Sequence, residues 1–329
     1  MSVKMAQYGI AHAHASGKTD AMKRNPNVEF CGIFEPDSKV HEKKAGAEVY
    51  KGVRWYESKD QMLEDESISA VAVEGYVRDN LTFARECVNH DKHVWLDKPA
   101  GTDLKVFQEI LDIAAKKNLM VQLGYMFRYN SGFQFLFDRV KEGSLGNIFS
   151  VRGHMSSLYQ NQQRIFLSEY PGGMFFELLC HLTDIVVYLL GRPNKVTPFL
   201  RNELGKHPEF KDNCMAVFEY DKAIAHLESS ALEVGAFEAR RFEVYGTKGS
   251  VIMEPIEPRQ NPTVRLCLHE ARGNFVKGWQ VVNVEKRSRY DGELVALVAD
   301  IRGEKKPDRS LDHEFIVQET VLRASGVIK

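Results

Sequence analysis

Residues 5–18 read MAQYGIAHAHASGK: a short apolar run, one glycine, two histidines and then a stretch of helical character. An apolar strand passing directly into a helix is the opening unit of a parallel α/β sheet. The turn between them is where such sheets hold anions, through backbone N–H groups and the positive helix end. The dinucleotide fingerprint G-x-G-x-x-G falls on Gly9-Ile10-Ala11-His12-Ala13-His14, so only its first glycine is kept. Ala11 still permits close backbone approach at negative φ, whereas His14 takes the place that packs helix on strand. Histidines at i and i+2 on a helix do not face one ligand, so no metal is expected here.

Outward from this turn the pattern repeats. Apolar runs at residues 28–35, 69–74, 93–97 and 120–125 follow the first, with helical patterns at 60–65, 80–90 and 104–118 between them. Strands alternating with helices imply βαβ units and a doubly wound, Rossmann-type parallel sheet. Beyond Tyr125 the rhythm changes to a helix at 133–142, a strand at 148–155, a polar loop and an apolar helix at 174–190. Alternating strands follow at 215–220, 223–232, 241–246 and 250–254, with turn signals at Tyr220-Asp-Lys and Gly246-Thr-Lys-Gly. The expected architecture is therefore α/β: a dinucleotide-binding domain over 1–124, then an α+β domain over 125–329 with a large, mostly antiparallel sheet. The chain shows no repeat and no low-complexity linker at that boundary.

Length agrees with two domains, since single cores stop growing near ~250–300 residues and this chain has 329. Forty-four basic residues against 45 acidic ones remove any general attraction to nucleic acid or an anionic membrane. Apolar residues make up 43% of the chain, yet none of its apolar runs approaches the ~20 residues of a membrane span, and no secretory leader is recognisable. Five scattered cysteines, without CxxC spacing, suit a reducing compartment. A cytoplasmic protein is expected.

Three groups of residues carry chemistry. Glu35 ends the second run, 26 positions after Gly9, where a carboxylate accepts from an adenosine ribose and repels a 2′-phosphate, favouring NAD over NADP. Asp97-Lys98-Pro99 ends the fourth run, at the carboxyl edge where open α/β sheets bind ligands. Glu177, His181 and Asp184 stand at i, i+4 and i+7 of one apolar helix and so share a face, with a carboxylate one turn from a histidine, as a general base requires. The bland alternatives are a turn with surface histidines, an N-cap at Glu35-Pro-Asp, a loop lysine and a satisfied core histidine.

Taken in order with Tyr125-Met-Phe-Arg-Tyr, Gly172-Gly173 and Tyr245-Gly-Thr-Lys-Gly-Ser, these motifs resemble the Gfo/Idh/MocA oxidoreductases over nearly the whole chain. The resemblance implies an N-terminal NAD(P)-binding domain and a C-terminal domain whose open sheet makes homo-oligomer contacts, with substrate between the two. It makes Lys98, His181 and Glu177 the catalytic residues. His181 takes the proton of a substrate hydroxyl while hydride leaves for the nicotinamide, and Lys98 steadies the developing alkoxide. Gly9, Ala11, His12, Ala13, Glu35, Glu74 and Lys98 are expected at the cofactor, and Lys98, Arg128, Tyr159, Arg164 and His181 at the substrate. Asp97, Glu177 and Glu74-Gly-Tyr depart from the family's usual Glu, Asp and Thr-Pro-Asn. A carboxylate at Glu74 would favour oxidised nicotinamide. The implied reaction is NAD-dependent dehydrogenation of a sugar, cyclitol or related polyol. Two alternatives are NAD-assisted glycoside cleavage and a non-catalytic NAD- or sugar-binding regulator.

Overall fold

The structure, a computed structural model, describes residues 2–257 and 263–329. It divides into two compact units, residues up to Met126 with Ser288–Phe315, and Phe127–Arg287 with Ile316–Lys329. In the first unit β1 (Val3–Tyr8), β2 (Val28–Phe34), β3 (Ala70–Val73), β4 (His93–Leu96) and β5 (Val121–Leu123) form a five-stranded sheet. The order is β2-β1-β3-β4-β5 and every pairing is parallel. The chain winds outward from β1 to β2 and then crosses to β3, so the switch point lies where β1 and β3 end.

Helices α1 (Ala15–Arg24), α2 (Ser38–Lys44), α3 (Lys59–Leu63), α4 (Val77–Asn89) and α5 (Leu104–Lys117) connect the strands. Side chains close several of their first turns. Asp37 accepts from the N–H groups of Lys39 and Val40, Ser58 from Gln61, and Asp103 from Val106. β3 is buried at every position, which is why Ala70–Val73 reads as a continuous apolar run.

In the second unit the helices are α6 (Ser131–Lys141), α7 (Asn161–Leu167), α8 (Cys180–Leu190) and the short α9 (Ala236–Ala239). Its strands are β6 (Ile148–His154), β7 (Lys195–Arg201), β8 (Asn213–Glu219), β9 (Ile224–Ser230), β10 (Arg241–Gly246), β11 (Gly249–Met253), β12 (Thr263–Leu268) and β13 (Gly278–Asn283). They pair in the order β13-β12-β11-β10-β6-β9-β8-β7, antiparallel apart from β6 with β9. Alternate residues are buried, such as Cys214, Ala216 and Phe218 on β8, while Phe149, Phe199, Ile224, Trp279 and Val281 stay exposed. β7, β12 and β13 were not anticipated; in β7, Pro198 interrupts the run. It is tolerated there because β7 is an edge strand.

Two features differ from the sequence reading. The stretch expected as one α-helix over 174–190 is π-helical over Phe175–Leu179 and α-helical only from Cys180. The first unit also takes in Ser288–Phe315, which the sequence reading left with the second domain. The reason is burial. Helix α10 (Asp291–Ile301) sends Leu294, Leu297 and Val298 into a cluster with Val3, Met5, Ala21, Met22, Ala72 and Trp95, each large side chain contributing roughly 1.5–3 kcal/mol. The last helix, α11, spans Leu311–Ala324. Among the described residues, no helix is long and apolar enough to cross a membrane.

Candidate functional site

The turn after β1 is built around Gly9. Its φ is +87°, and a Cβ there would lie 2.8 Å from the backbone nitrogen of Gly75, the residue after Glu74 at the end of β3. Only glycine allows the ends of β1 and β3 to approach so closely. The N–H of Ile10 donates to Glu35 Oε2 at 2.5 Å, and the N–H of Asp37 donates to Oε1 at 2.8 Å. Burial lifts the Glu35 carboxyl above its ordinary value, against the pull of those two N–H donors. Lys44, from the end of α2, donates to the carbonyls of Ile10 (3.1 Å) and Ala11 (2.6 Å). This cation comes nearer the turn than a reading of the residues directly after Glu35 suggests.

His12 and His14 lie in the turn and at the cap of α1, not within a helix, so the i, i+2 argument does not apply to them. Their rings meet edge to face with centroids 4.6 Å apart, and both turn Nδ1 toward Asp97. His14 Nδ1 lies 3.1 Å from Oδ1, while His12 Nδ1 contacts Oδ2. Lys18, one turn beyond His14, places Nζ 2.5 Å from Glu74 Oε1 and 3.6 Å from Asp97 Oδ1. Lys18, Glu74 and Asp97 are wholly buried.

Charge is crowded here, and the crowding sets the protonation. Burial pushes the Glu74 carboxyl well above the ordinary range, and the neighbouring Asp97 adds to this. Burial also opposes ionisation of Asp97, but His12, Lys18 and His14 outweigh it and hold that carboxyl well below the ordinary range. Burial lowers His14 to about 4 despite Asp97, so its imidazole is neutral near pH 7. Gly124 leaves room alongside, since a Cβ there would come within 2.7 Å of Lys18 Nζ.

Lys98 follows Asp97 at the carboxyl end of β4, is 2% exposed, and donates its N–H to Asp97 Oδ1 at 2.9 Å. The Lys98–Pro99 peptide is cis. Trp95 stacks beneath Lys18 at 4.6 Å and donates to Glu293 at 3.0 Å, so α10 braces the strand that carries Asp97 and Lys98. Tyr290 lies against Gly17 and 5.7 Å from the His14 ring.

In the second unit His181 is buried on α8, with the Phe127 ring 5.4 Å away. Glu177 belongs to the π-helical turn, so the three-residue stripe expected on one α-helix is not formed as such. Asp184 is instead the partner of Arg128, whose Nε lies 3.1 Å from both carboxylate oxygens and whose Nη2 lies 2.7 Å from Oδ1. Arg164 is engaged in a similar way. Its Nη1 reaches Asp212 at 3.1 Å, and Nε and Nη2 donate to the carbonyls of Tyr159 and Ala231. The two arginines expected at the substrate therefore hold internal carboxylates. Among the cofactor candidates, Gly9, Ala11, His12 and Ala13 lie in one turn, Glu35 is tied to it by a hydrogen bond, and Glu74 is tied to it through the His12 N–H, which donates to the Glu74 carbonyl at 3.0 Å.

Sequence reading missed Lys18, Lys44, Tyr290 and Glu293. Lys18 was within reach of it, because i, i+4 spacing from His14 puts both on one side of α1. Tyr290 and Glu293 were not, being brought in by α10 from the far end of the chain.

Residues 7–125 match the model of an oxidoreductase family with an NAD-binding Rossmann fold, and residues 133–252 match the GFO/IDH/MocA C-terminal domain. An uncharacterized oxidoreductase of Schizosaccharomyces pombe is 26% identical over 255 residues, covering 73% of this chain and 67% of the relative. The myo-inositol 2-dehydrogenase of Thermotoga maritima is 21% identical over 259 residues, covering 77% and 75%. Among solved structures, a putative NADPH-dependent oxidoreductase from Desulfitobacterium hafniense superposes with a TM-score of 0.83 at 17% identity, covering 100% of this chain and 96% of the other.

Proposed function

The chain belongs to the GFO/IDH/MocA oxidoreductase family, whose members use a nicotinamide cofactor, and on that premise we propose that it oxidises a hydroxyl of a sugar, cyclitol or related polyol. The observation that carries this reading is the edge of the parallel sheet. There Gly9 lets backbone approach closely, Glu35 ends β2, and Lys98 ends β4 beside a buried carboxylate. These residues fit a dinucleotide. Bound there, the cofactor supplies the hydride acceptor.

The chain's own residues have separate tasks. Lys98 presents an ammonium that steadies negative charge on the substrate oxygen, and His181 takes the hydroxyl proton. Glu177 orients His181, and Tyr159 offers a hydroxyl to the substrate. Arg128 and Arg164 act as positioning residues, the first through Asp184 on α8 and the second through the Tyr159 carbonyl.

NAD is the preferred cofactor in this reading. Both Glu35 oxygens already accept backbone N–H groups and keep lone pairs for ribose hydroxyls, while Lys44 spends its amine on two carbonyls. A 2′-phosphate would meet the Glu35 carboxylate, while the Lys44 ammonium is held toward the carbonyls of Ile10 and Ala11.

The test is incubation with NAD and a panel of polyols and sugars while NADH is followed. Lys98→Met and His181→Ala should each lower kcat/KM on the substrate found by roughly 10²–10⁴ without unfolding the protein. Near-wild-type turnover by either variant would remove its assigned role. Aglycone release from glycosides without net NADH would replace dehydrogenation by cleavage.

A further inference from the structure

The pair His12 and His14 has chemistry that nicotinamide binding does not call for. We propose that His12, His14 and Asp97 form a binding site for a divalent transition-metal cation. Their donor atoms all lie within 4.8 Å of one another, and among the described residues they are the one such group of three. Metal bonds of about 2.0–2.2 Å to nitrogen and oxygen need donors roughly 3–4.4 Å apart, so His12 Nδ1 must part from Asp97 Oδ2, which it contacts, and give up the His14 N–H that it accepts at 3.2 Å to admit an ion. Two imidazoles and one carboxylate suit zinc, iron(II) or manganese(II) better than calcium or magnesium, and three protein ligands leave a position open.

The surroundings favour a cation. Glu74 and Asp97 are both wholly buried beside a single ammonium, that of Lys18, which lies 2.5 Å from Glu74 Oε1 and 3.6 Å from Asp97 Oδ1. An ion between the imidazoles and Asp97 would give that buried carboxyl group a second partner beside Lys18. Glu74 Oε2 lies 4.0 Å from the same His12 Nδ1 and adds a second carboxyl group beside the site. The side chains of His12 and His14 are 10% and 15% exposed, which gives the ion a way in. The site lies at the turn that the dinucleotide reading also uses, but the inference does not depend on that reading.

The experiment uses the full chain stripped of metal by chelator and dialysis. Co²⁺ is titrated in while its visible d–d absorption is followed, and Zn²⁺ is then competed against a chromophoric chelator. The expected result is one equivalent bound, with His12→Gln and His14→Gln each weakening binding at least ~10–100-fold, as losing a metal's protein partners does. Asp97→Asn should do the same but also disturbs Lys18, so the histidine variants, checked for unchanged thermal unfolding, decide the matter. No stoichiometric binding, or binding unchanged in both histidine variants and hence an adventitious ion elsewhere, overturns the proposal. NADH binding to the metal-free protein is measured in parallel by fluorescence. NADH bound without Co²⁺ sinks the metal site and leaves the dehydrogenase reading intact, and Co²⁺ bound without NADH does the reverse.

Discussion

The two units handle buried charge in opposite ways. In the second, each buried carboxylate has a guanidinium of its own: Asp184 is clasped by Arg128 through both oxygens, and Asp212 takes Arg164 and two backbone N–H groups. In the first, Glu74 and Asp97 share one lysine, and two histidines crowd the same carboxylate. Matched pairs of the first kind are the ordinary way to keep a charge inside a fold, with fork-shaped donors meeting both oxygens. The unmatched group sits instead at the carboxyl edge of the parallel sheet, where ligands bind. Evenly paired charge therefore reads as architecture, and carboxyls crowded onto one lysine and two histidines at the sheet's carboxyl edge read as a place prepared for something else.

The largest effect that could break this contrast is at Asp184. Replacing it with alanine strands a buried guanidinium and should cost about 3–5 kcal/mol in chemical denaturation, while Arg128→Met combined with Asp184→Leu should recover most of the loss. An unchanged midpoint in the single variant would mean the pair carries no architectural weight. Lys18→Met should cost somewhat less, on the order of 2–4 kcal/mol, because Glu74 can meet the loss by holding a proton. Adding Glu74→Gln to Lys18→Met should change stability little further, since a Glu74 that holds a proton is already neutral, and a large recovery would show that Glu74 stays ionised.

A smaller effect concerns Glu35. NAD should bind more tightly than NADP by on the order of 1–3 kcal/mol, and Glu35→Ser should narrow the gap when both cofactors are titrated calorimetrically. Asp37 is a poor site for an added arginine, because its carboxylate caps α2 and the cap contributes about 1 kcal/mol. Tighter NADP binding by the unmodified protein would assign Glu35 to the turn alone.

The smallest effect lies on the second unit's sheet. His154 lies 3.1 Å from Glu228 and 2.7 Å from Glu233, and its hydrogen bond to Glu228 raises its pKa over the opposing effect of burial. A raised folded value means the contribution is complete below about pH 6.5 and fades as pH rises through that value. Thermal unfolding should show His154→Gln losing up to ~1 kcal/mol at pH 5.5 and almost nothing at pH 9. A loss independent of pH would assign the histidine a packing role.

Much of this was legible in the chain. The parallel sheet was, since β1 to β5 are short apolar runs whose period and spacing are local properties, and so were Gly9, Glu35 and Asp97-Lys98, which end those runs. The charge partners were not. Asp184 looked like the third member of a helical stripe until the π-turn at Phe175–Leu179 and the approach of Arg128 gave it another task. A helical wheel assumes one period throughout and cannot register an inserted residue.

What the sequence by itself determined is the succession of elements in the parallel sheet and the family, because periodicity and strand-end motifs are written in neighbouring residues. Tertiary structure alone decided that α10 returns to brace Trp95, that Lys44 reaches the first turn, and that two histidines with no common helical face converge on Asp97. Each of these depends on groups brought together from distant positions, or on a turn with no period, and no local pattern records which group will arrive.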